Sequence, residues 1–137
     1  MAARVRLCHI LDLDAAGLGA LDAAAVATAV RWAEAAAAAG VDSLQLRGRG
    51  VDAGRLVGMA RAMRAAIAGA RTALIVNDRA DVALASGADG LHVPAAGLAV
   101  DDARRICPGR VIGASAHDAA ELARAAAADY VIVGTIF

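Results

Sequence analysis

The sequence contains no lysine: its 14 basic residues are all arginines, and 14 acidic residues bring the formal net charge to zero. We attribute the missing lysine to a genome-composition bias rather than to a mechanism. A protein that binds nucleic acid needs a basic face, so a charge balance of zero argues against a nucleic-acid partner. A length of 137 residues suits one domain with a buried core.

Long apolar runs are also absent. Hydrophobic residues make up 60% of the chain, but much of this fraction is alanine. No run approaches the roughly 18 consecutive apolar residues that a membrane-spanning helix needs, and the first residues lack the apolar region of a signal peptide. The two cysteines, Cys8 and Cys107, have neither a disulfide nor a metal-binding spacing. We therefore expect a cytoplasmic protein without a membrane partner.

Short apolar runs alternate with longer alanine-rich segments along the chain. The runs are rich in Val, Ile and Leu and predict buried strands, whereas the alanine-rich segments predict helices. The predicted strands are Val5–Leu13, Asp42–Arg47, Ala73–Asn77, Gly90–Val93, Val111–Ser115 and Tyr130–Phe137. Six strands separated by five helices indicate βα units around one parallel sheet.

Capping residues set the limits of two of these helices. Asp22 predicts the start of the first helix, which runs to Ala39. Asp118, with Glu121 three residues later, has the spacing of a capping box and predicts a helix that continues through Ala127.

A turn followed by an aspartate recurs before three predicted strands, at Asp42, Asp89 and Asp129. These positions lie where strands begin. In a βα barrel that end is the bottom face, where special residues serve stability. We expect the three aspartates to be structural.

Two architectures fit this succession, an open doubly wound sheet and a (β/α)₈ barrel. Length alone favours the open sheet, because barrels typically need about 250 residues and compact ones about 200. Alternation along the second strand, however, places Ser43, Gln45 and Arg47 on one face. A polar row of this kind suits a barrel mouth better than a strand covered by helices on both faces.

Polar side chains gather at the carboxyl ends of the predicted strands, where ligands bind in either architecture. They are Gln45, Arg47, Arg49, Asn77, Asp78, His92, Ser115, His117 and Thr135. Arg47 and Arg49 can clamp an anionic group, and Asn77 and Asp78 offer oxygen ligands that Mg²⁺ accepts. This pattern indicates a phosphate or pyrophosphate bound with a metal. The alternative interpretation is that Arg47 pairs with Asp78 across the rim.

Five segments in order resemble motifs of the thiamine-phosphate synthase/TenI family. They are Gln45-Leu46-Arg47-Gly48-Arg49 (Gln-x-Arg-x-Lys in the family), Ile75-Val76-Asn77-Asp78-Arg79, Gly87-Ala88-Asp89-Gly90-Leu91-His92, Ile112-Gly113-Ala114-Ser115-Ala116-His117 and Ala128-Asp129-Tyr130-Val131 through Gly134. The resemblance implies a (β/α)₈ TIM barrel, present in the single domain 1–137 as about its first six strands and five helices. It also implies a transferase of thiamine biosynthesis, which condenses an aminopyrimidine diphosphate with a thiazole phosphate and releases pyrophosphate.

The resemblance also implies roles for individual residues. The substrate-binding set would be Gln45, Arg47, Arg49, Asn77, His92, Ser115 and Thr135. Arg47, Arg49 and Ser115 would be catalytic, because the reaction builds charge on the departing pyrophosphate. Ser115 would contact the pyrophosphate or the pyrimidine, and Asp78 would ligate Mg²⁺.

Three positions depart from the family pattern. Arg49 stands where the family has lysine, and Gly97 stands where the synthases have a second metal-binding aspartate. Thr135 occupies the position of the histidine proposed as the acid–base group of the thiazole tautomerases. Two alternatives therefore stay open: a TenI-like thiazole tautomerase or thiazole-phosphate-binding protein, and a non-catalytic regulatory or binding barrel.

A barrel of this family also needs strands seven and eight. Without them the sixth strand would expose its edge along Tyr130–Phe137, an apolar run prone to pairing with other chains. We expect residues 1–137 to be the N-terminal three-quarters of a polypeptide of roughly 200 residues, and we leave a homodimer open.

Overall fold

The computed structural model describes residues 6–135, in which six strands alternate with five helices. The strands are β1 (Cys8–Asp12), β2 (Ser43–Arg47), β3 (Ala73–Asn77), β4 (Gly90–Val93), β5 (Val111–Ala116) and β6 (Tyr130–Val133). The helices are α1 (Ala23–Ala38), α2 (Ala53–Ala66), α3 (Ala80–Ser86), α4 (Val100–Ile106) and α5 (Ala119–Arg124). None of these helices is long and apolar enough to cross a membrane.

The strands form one sheet in the order β1-β2-β3-β4-β5-β6, and every neighbouring pair is parallel. A doubly wound sheet would reverse its strand order at a switch point, whereas a barrel adds each new strand beside the last. The unbroken order is that of six successive strands of a (β/α)₈ barrel. The barrel prediction is therefore confirmed, and the open sheet that length alone favoured is excluded. The expectation that residues 1–137 lead a longer chain stays a prediction.

The two faces of the sheet differ in chemistry. Leu44 and Leu46 on β2 are fully buried in the core beneath the helices, and Leu74 and Val76 continue this layer on β3. The intervening Gln45 points to the opposite face, as the alternation of side chains along a strand requires. The predicted polar row on β2 is confirmed.

The limits predicted from the sequence are correct to within one residue for α1, but the predicted end of α5 is not. Asp22 accepts a hydrogen bond from the Ala25 N–H at 2.8 Å, and α1 ends within one residue of the predicted limit. In contrast, α5 ends at Arg124, so the prediction that it runs through Ala127 is wrong. Beyond Arg124 the backbone hydrogen bonds span three residues instead of four, from the Ala126 N–H to the Ala123 carbonyl at 3.3 Å and from the Ala128 N–H to the Ala125 carbonyl at 2.9 Å.

The capping box of α5 is shifted by one residue. The Asp118 carboxylate accepts from the Glu121 N–H at 2.7 Å, as expected. The Glu121 carboxylate, however, accepts from the N–H of His117 at 2.7 Å rather than from that of Asp118.

Three predicted strands are shorter than expected, and one of them is β2, which begins at Ser43 rather than at Asp42. Strand β1 ends at Asp12, although the Leu13 N–H still donates to the Arg47 carbonyl at 2.8 Å. Strand β6 ends at Val133, although the Gly134 N–H still donates to the Ala116 carbonyl at 3.1 Å. The predicted ends at Val5 and at residues 136–137 lie outside the described residues.

The three repeated aspartates tie neighbouring strands together at the bottom of the sheet. Asp42 accepts from the Leu7 N–H at 2.9 Å, Asp89 from the Leu74 N–H at 2.8 Å, and Asp129 from the Ile112 N–H at 2.7 Å. In each case the aspartate precedes one strand and its carboxylate bonds the backbone of the strand before it. The prediction that these residues are structural is confirmed.

Arginines from the helices hold two of these carboxylates from the other side. Arg64 of α2 approaches Asp89 at 3.2 Å, and Arg104 of α4 approaches Asp129 at 3.1 Å. The pKa of Asp129 is lowered from its usual value, first by the Ile112 N–H and then by the hydrogen bond from Arg104. Each of these two aspartates therefore connects neighbouring strands through a backbone hydrogen bond and holds a helix through an ion pair.

We expect Asp89→Ala to lower the free energy of unfolding by about 1–3 kcal/mol, because it leaves the partly buried Leu74 N–H without an acceptor. Urea unfolding followed by circular dichroism measures this loss. Asp102→Ala is the matched control, since Asp102 pairs only with Arg105 on an exposed helix face, and its effect should stay within about 0.5 kcal/mol. Equal effects of the two substitutions would contradict the structural role.

Candidate functional site

A cavity of about 590 Å³ opens at the carboxyl ends of the strands. The loops after β2, β3 and β4 form much of its wall, and residues from β2, β3, β4 and β5 form its floor. It brings together most of the predicted site residues: Gln45, Arg47, Arg49, Asn77, Asp78, His92, Ser115 and His117. Thr135, which follows β6, is exposed and is not among the lining residues.

Gln45 and Asn77 form a hydrogen-bonded pair on the cavity floor. The Asn77 Nδ2 donates to the Gln45 Oε1 at 2.9 Å, which fixes the orientation of both amides. The Gln45 side chain is buried, and its Nε2 has no hydrogen-bond partner among the described residues. A buried donor without an acceptor costs about 1–3 kcal/mol, so this site is built to receive an acceptor atom from a ligand.

Arg47 pairs with Asp12 rather than with Asp78. Its Nη1 lies 3.2 Å from the Asp12 Oδ2, and both side chains are about one-third exposed (32% and 30%). The predicted alternative, a rim pair between Arg47 and Asp78, is therefore wrong. The neighbouring Arg49 lines the same cavity and forms no ion pair within residues 6–135. One arginine is thus oriented by a carboxylate while the next has its charge free for a ligand.

Arg79 is a third arginine of the cavity wall, which the sequence analysis did not select. Its Nε and Nη2 donate to the two oxygens of Asp81 at 3.0 and 2.7 Å. These hydrogen bonds lower the pKa of Asp81 and raise the pKa of Arg79. Its position directly after Asn77 and Asp78 was the signal available in the sequence.

Asp78 stands at the turn where β3 meets the cavity. Its φ is +64°, a left-handed conformation that is uncommon for residues other than glycine. The Asp78 N–H donates to the His92 carbonyl at 2.8 Å, which holds the turn against β4. A local conformation of this kind, stabilised by a neighbouring strand, is typical of functional sites.

Gly97 lies beside Asp78, which bears on the expected Mg²⁺ site. A Cβ at residue 97 would stand 3.4 Å from the Asp78 Oδ1, so an aspartate here would place two carboxylates together. With glycine, Asp78 supplies the one carboxylate, and the described part of the chain contains no cluster of three or more metal-ligating side chains. Mg²⁺ binds through one or two carboxylates together with substrate phosphates. The residues therefore fit an ion that a bound diphosphate helps to hold.

His92, on β4, is buried and connects two other polar side chains. Its Nε2 lies 2.7 Å from the Ser115 Oγ, and its Nδ1 lies 3.2 Å from the Tyr130 hydroxyl. Burial lowers the pKa of His92 to about 4, so the imidazole is neutral at physiological pH. This geometry makes His92 a neutral, hydrogen-bonded residue of the cavity and an unsuitable cation for binding phosphate.

His117 lies at the rim just before α5. Its Nδ1 is 2.9 Å from the Glu121 Oε2, and the same oxygen accepts the His117 N–H. The backbone hydrogen bond is the main cause of the lowered pKa of Glu121. His117 thus lies both just before α5 and in the cavity wall, where its place among the polar residues at the strand ends predicted it.

We expect the stability of the protein to fall as the pH is lowered from about 6.5 to about 4. In this window the unfolded chain binds a proton on His92 while the folded chain does not, so the free energy of unfolding drops by up to about 3 kcal/mol. Urea unfolding at several pH values, compared with His92→Gln, isolates this contribution. The exposed His9 provides the control: His9→Gln should keep the full pH dependence, and an equal loss in both variants would contradict the assignment.

Comparison with known proteins agrees with this geometry. The family model described as thiamine monophosphate synthase (TMP-TENI) matches residues 20–137. A thiamine-phosphate synthase of Methanoculleus marisnigri is 47% identical over 108 residues, which cover 77% of this chain and 51% of that protein. One from Agrobacterium fabrum is 42% identical over 135 residues, which cover 96% of this chain and 58% of that protein.

A solved structure shows the same fold. The thiamine phosphate pyrophosphorylase from Pyrococcus furiosus superposes with a TM-score of 0.78 at 28% identity, over 96% of this chain and 61% of that one. The chain spans about half the length of the curated relatives it matches. The match of the family model over most of the chain confirms the family resemblance read from the motifs: the chain belongs to the thiamine monophosphate synthase family.

Proposed function

We propose that the cavity binds an aminopyrimidine diphosphate and a thiazole phosphate and that the protein acts in thiamine biosynthesis as a thiamine-phosphate synthase. The observation that carries this proposal is the set of hydrogen-bond donors around one cavity. Arg47 and Arg49 line the rim, and the unpartnered Gln45 Nε2 lies on the floor. Guanidinium groups and buried amide donors are suited to phosphate oxygens. The names of the relatives support the same assignment.

In the proposed reaction, the bond between the pyrimidine methylene carbon and the diphosphate oxygen breaks, and its electron pair leaves with the pyrophosphate. The thiazole nitrogen supplies the pair for the new carbon–nitrogen bond. Negative charge therefore grows on the leaving group in the transition state. Arg47, held by Asp12, would stabilise that charge without having to reorient, and Arg49 would add a second guanidinium from the cavity wall.

The amide pair would select and orient the diphosphate end of the substrate. The Gln45 Nε2 would donate to a phosphate oxygen, while the hydrogen bond from Asn77 keeps the Gln45 amide from rotating. Asp78 would hold Mg²⁺ together with the diphosphate. When bound, this ion would neutralise part of the leaving-group charge.

Gly97 favours a second candidate, a TenI-like protein that binds thiazole phosphate without the metal-dependent condensation. A site with one carboxylate holds Mg²⁺ less firmly than a site with two. The exposed Thr135 lies outside the cavity and would not supply the proton transfer of a tautomerase. This candidate is therefore a binding protein rather than a tautomerase. The non-catalytic regulatory barrel is the third outcome of the test below.

We also propose a cytoplasmic location, where the exposed Cys8 and the buried Cys107 would stay reduced. A homodimer stays a prediction.

Calorimetry with the pyrimidine diphosphate, with and without Mg²⁺, tests the proposed function. Binding that tightens at least tenfold with Mg²⁺ supports the synthase, provided that Asp78→Asn abolishes the difference. Asparagine tolerates the left-handed backbone at this position, so the variant should keep the fold. Binding of thiazole phosphate alone, independent of Mg²⁺, would support the TenI-like candidate, and binding of neither ligand would leave the regulatory barrel.

We expect Arg47→Ala to weaken binding of the pyrimidine diphosphate by roughly 30-fold or more, since a ligand charge left unpaired costs about 2–5 kcal/mol. The thermal midpoint should change little, because the pair with Asp12 is partly exposed. Arg105→Ala is the matched control, because it also removes one arginine but from an exposed helix face. It should not change the affinity for the pyrimidine diphosphate. An unfolded Arg47→Ala variant, or one with unchanged affinity, would show that Arg47 is structural.

A further inference from the structure

Three polar side chains form a row that leads from the interior of the sheet to the cavity. The Tyr130 hydroxyl lies 3.2 Å from the His92 Nδ1, and the His92 Nε2 lies 2.7 Å from the Ser115 Oγ. Ser115 and His92 line the cavity, whereas Tyr130 does not. Tyr130 can therefore influence a ligand only through the other two.

Gly113 makes this row sterically feasible. The sheet register aligns His92 with Gly113 and Gly113 with Tyr130 on three neighbouring strands. A Cβ at residue 113 would overlap the Tyr130 ring, so the glycine provides the space through which the tyrosine reaches the histidine. The two rings contact each other, with their centroids 5.6 Å apart.

The hydrogen bonds of the row can run in two directions. A neutral imidazole has one donor and one acceptor nitrogen, while each hydroxyl has one proton to donate. If the His92 Nδ1 carried the proton, it would donate to Tyr130, and the phenol proton would then have no acceptor among residues 6–135. If Tyr130 donates to Nδ1, then Nε2–H donates to Ser115, and the Ser115 proton is free to point into the cavity.

Each direction leaves one hydroxyl proton without an acceptor among residues 6–135. The second direction leaves that of Ser115, which lines the cavity where a ligand acceptor can reach it. It also agrees with the chemistry of phenol, which donates its proton readily and accepts poorly because the oxygen lone pair is delocalised into the ring. A chain of hydrogen bonds running one way strengthens each of its members. Ser115 then meets the ligand as a donor, like the Gln45 Nε2 on the same floor.

We infer that Tyr130 is a positioning residue that fixes His92 as its Nε2–H tautomer and thereby presents the Ser115 hydroxyl proton to the cavity. Ser115 consequently offers its hydroxyl proton to an acceptor atom of the ligand, and in the proposed function that acceptor is a phosphate oxygen. The tautomer rests on the hydrogen-bonding distances together with the donor preference of the phenol, and the nature of the ligand rests on the proposed function.

The tautomer can be read directly by NMR. In protein labelled with ¹⁵N-histidine, long-range proton–nitrogen correlations at pH 7.5 should show the His92 Nε2 protonated and Nδ1 unprotonated. In Tyr130→Phe, which keeps the ring but removes the hydroxyl, the His92 signals should move toward a mixture of both tautomers. The signals of His9 and His117, neither of which contacts Tyr130, serve as the control and should not move. A protonated Nδ1 in the unaltered protein would overturn the inference.

Affinity for inorganic pyrophosphate tests the effect on Ser115. We expect Tyr130→Phe to weaken binding by roughly three- to tenfold, the equivalent of one hydrogen bond, and Ser115→Ala to weaken it at least as much. Added to Ser115→Ala, Tyr130→Phe should have no further effect, because its influence passes through that hydroxyl. If Tyr130 had only a structural role, Tyr130→Phe would weaken binding equally in the unaltered protein and in Ser115→Ala. That result would overturn the inference.

Two outcomes separate this inference from the proposed function. If the unaltered protein does not bind pyrophosphate, the proposed function and the phosphate contact of Ser115 both fail, while the NMR spectrum still decides whether Tyr130 sets the tautomer. If Tyr130→Phe fails to fold, Gly113→Ala provides the second variant, because its Cβ displaces the Tyr130 ring. It should produce the same change in the His92 signals, and unchanged signals would contradict the role of Tyr130.

Discussion

The register between neighbouring parallel strands is the constraint on which the site depends. Side chains alternate between the two faces of a strand, so a slip of one residue would turn Gln45 and Ser115 away from the cavity. The carboxylates of Asp42, Asp89 and Asp129 oppose such a slip, because each bonds one particular backbone N–H of the preceding strand. A bottom face built for stability thereby fixes the positions of side chains at the opposite end of the sheet.

Above this frame, the cavity combines charges that are held in place with a charge left free. Arg47 is oriented by Asp12 and Arg79 by Asp81, whereas Arg49 has no carboxylate partner in the described residues. Held guanidinium groups lose little entropy when a ligand binds, and a free one adds net positive charge at the rim. This division suits an anionic ligand.

Missing side chains shape the site as much as those present. Gly113 lets the Tyr130 ring cross a neighbouring strand, and Gly97 leaves Asp78 without a second carboxylate beside it. The first glycine permits a buried hydrogen-bonded row, and the second reduces what the protein itself can offer to a metal. The missing carboxylate at Gly97 can be inferred from the family motif, whereas the space at Gly113 is visible only in the tertiary structure.

The sequence by itself determined the alternation of six strands and five helices, the start of α1 and the cluster of polar residues at the carboxyl ends of the strands. These features follow from local periodicity and capping, which depend on residues a few positions apart. Only the tertiary structure decided that Arg47 pairs with Asp12 and that Tyr130 reaches His92 across Gly113. The residues of these pairs are separated by 35 and 38 positions along the chain. Their meeting depends on which strands are neighbours and in what register, and local sequence patterns carry no record of either.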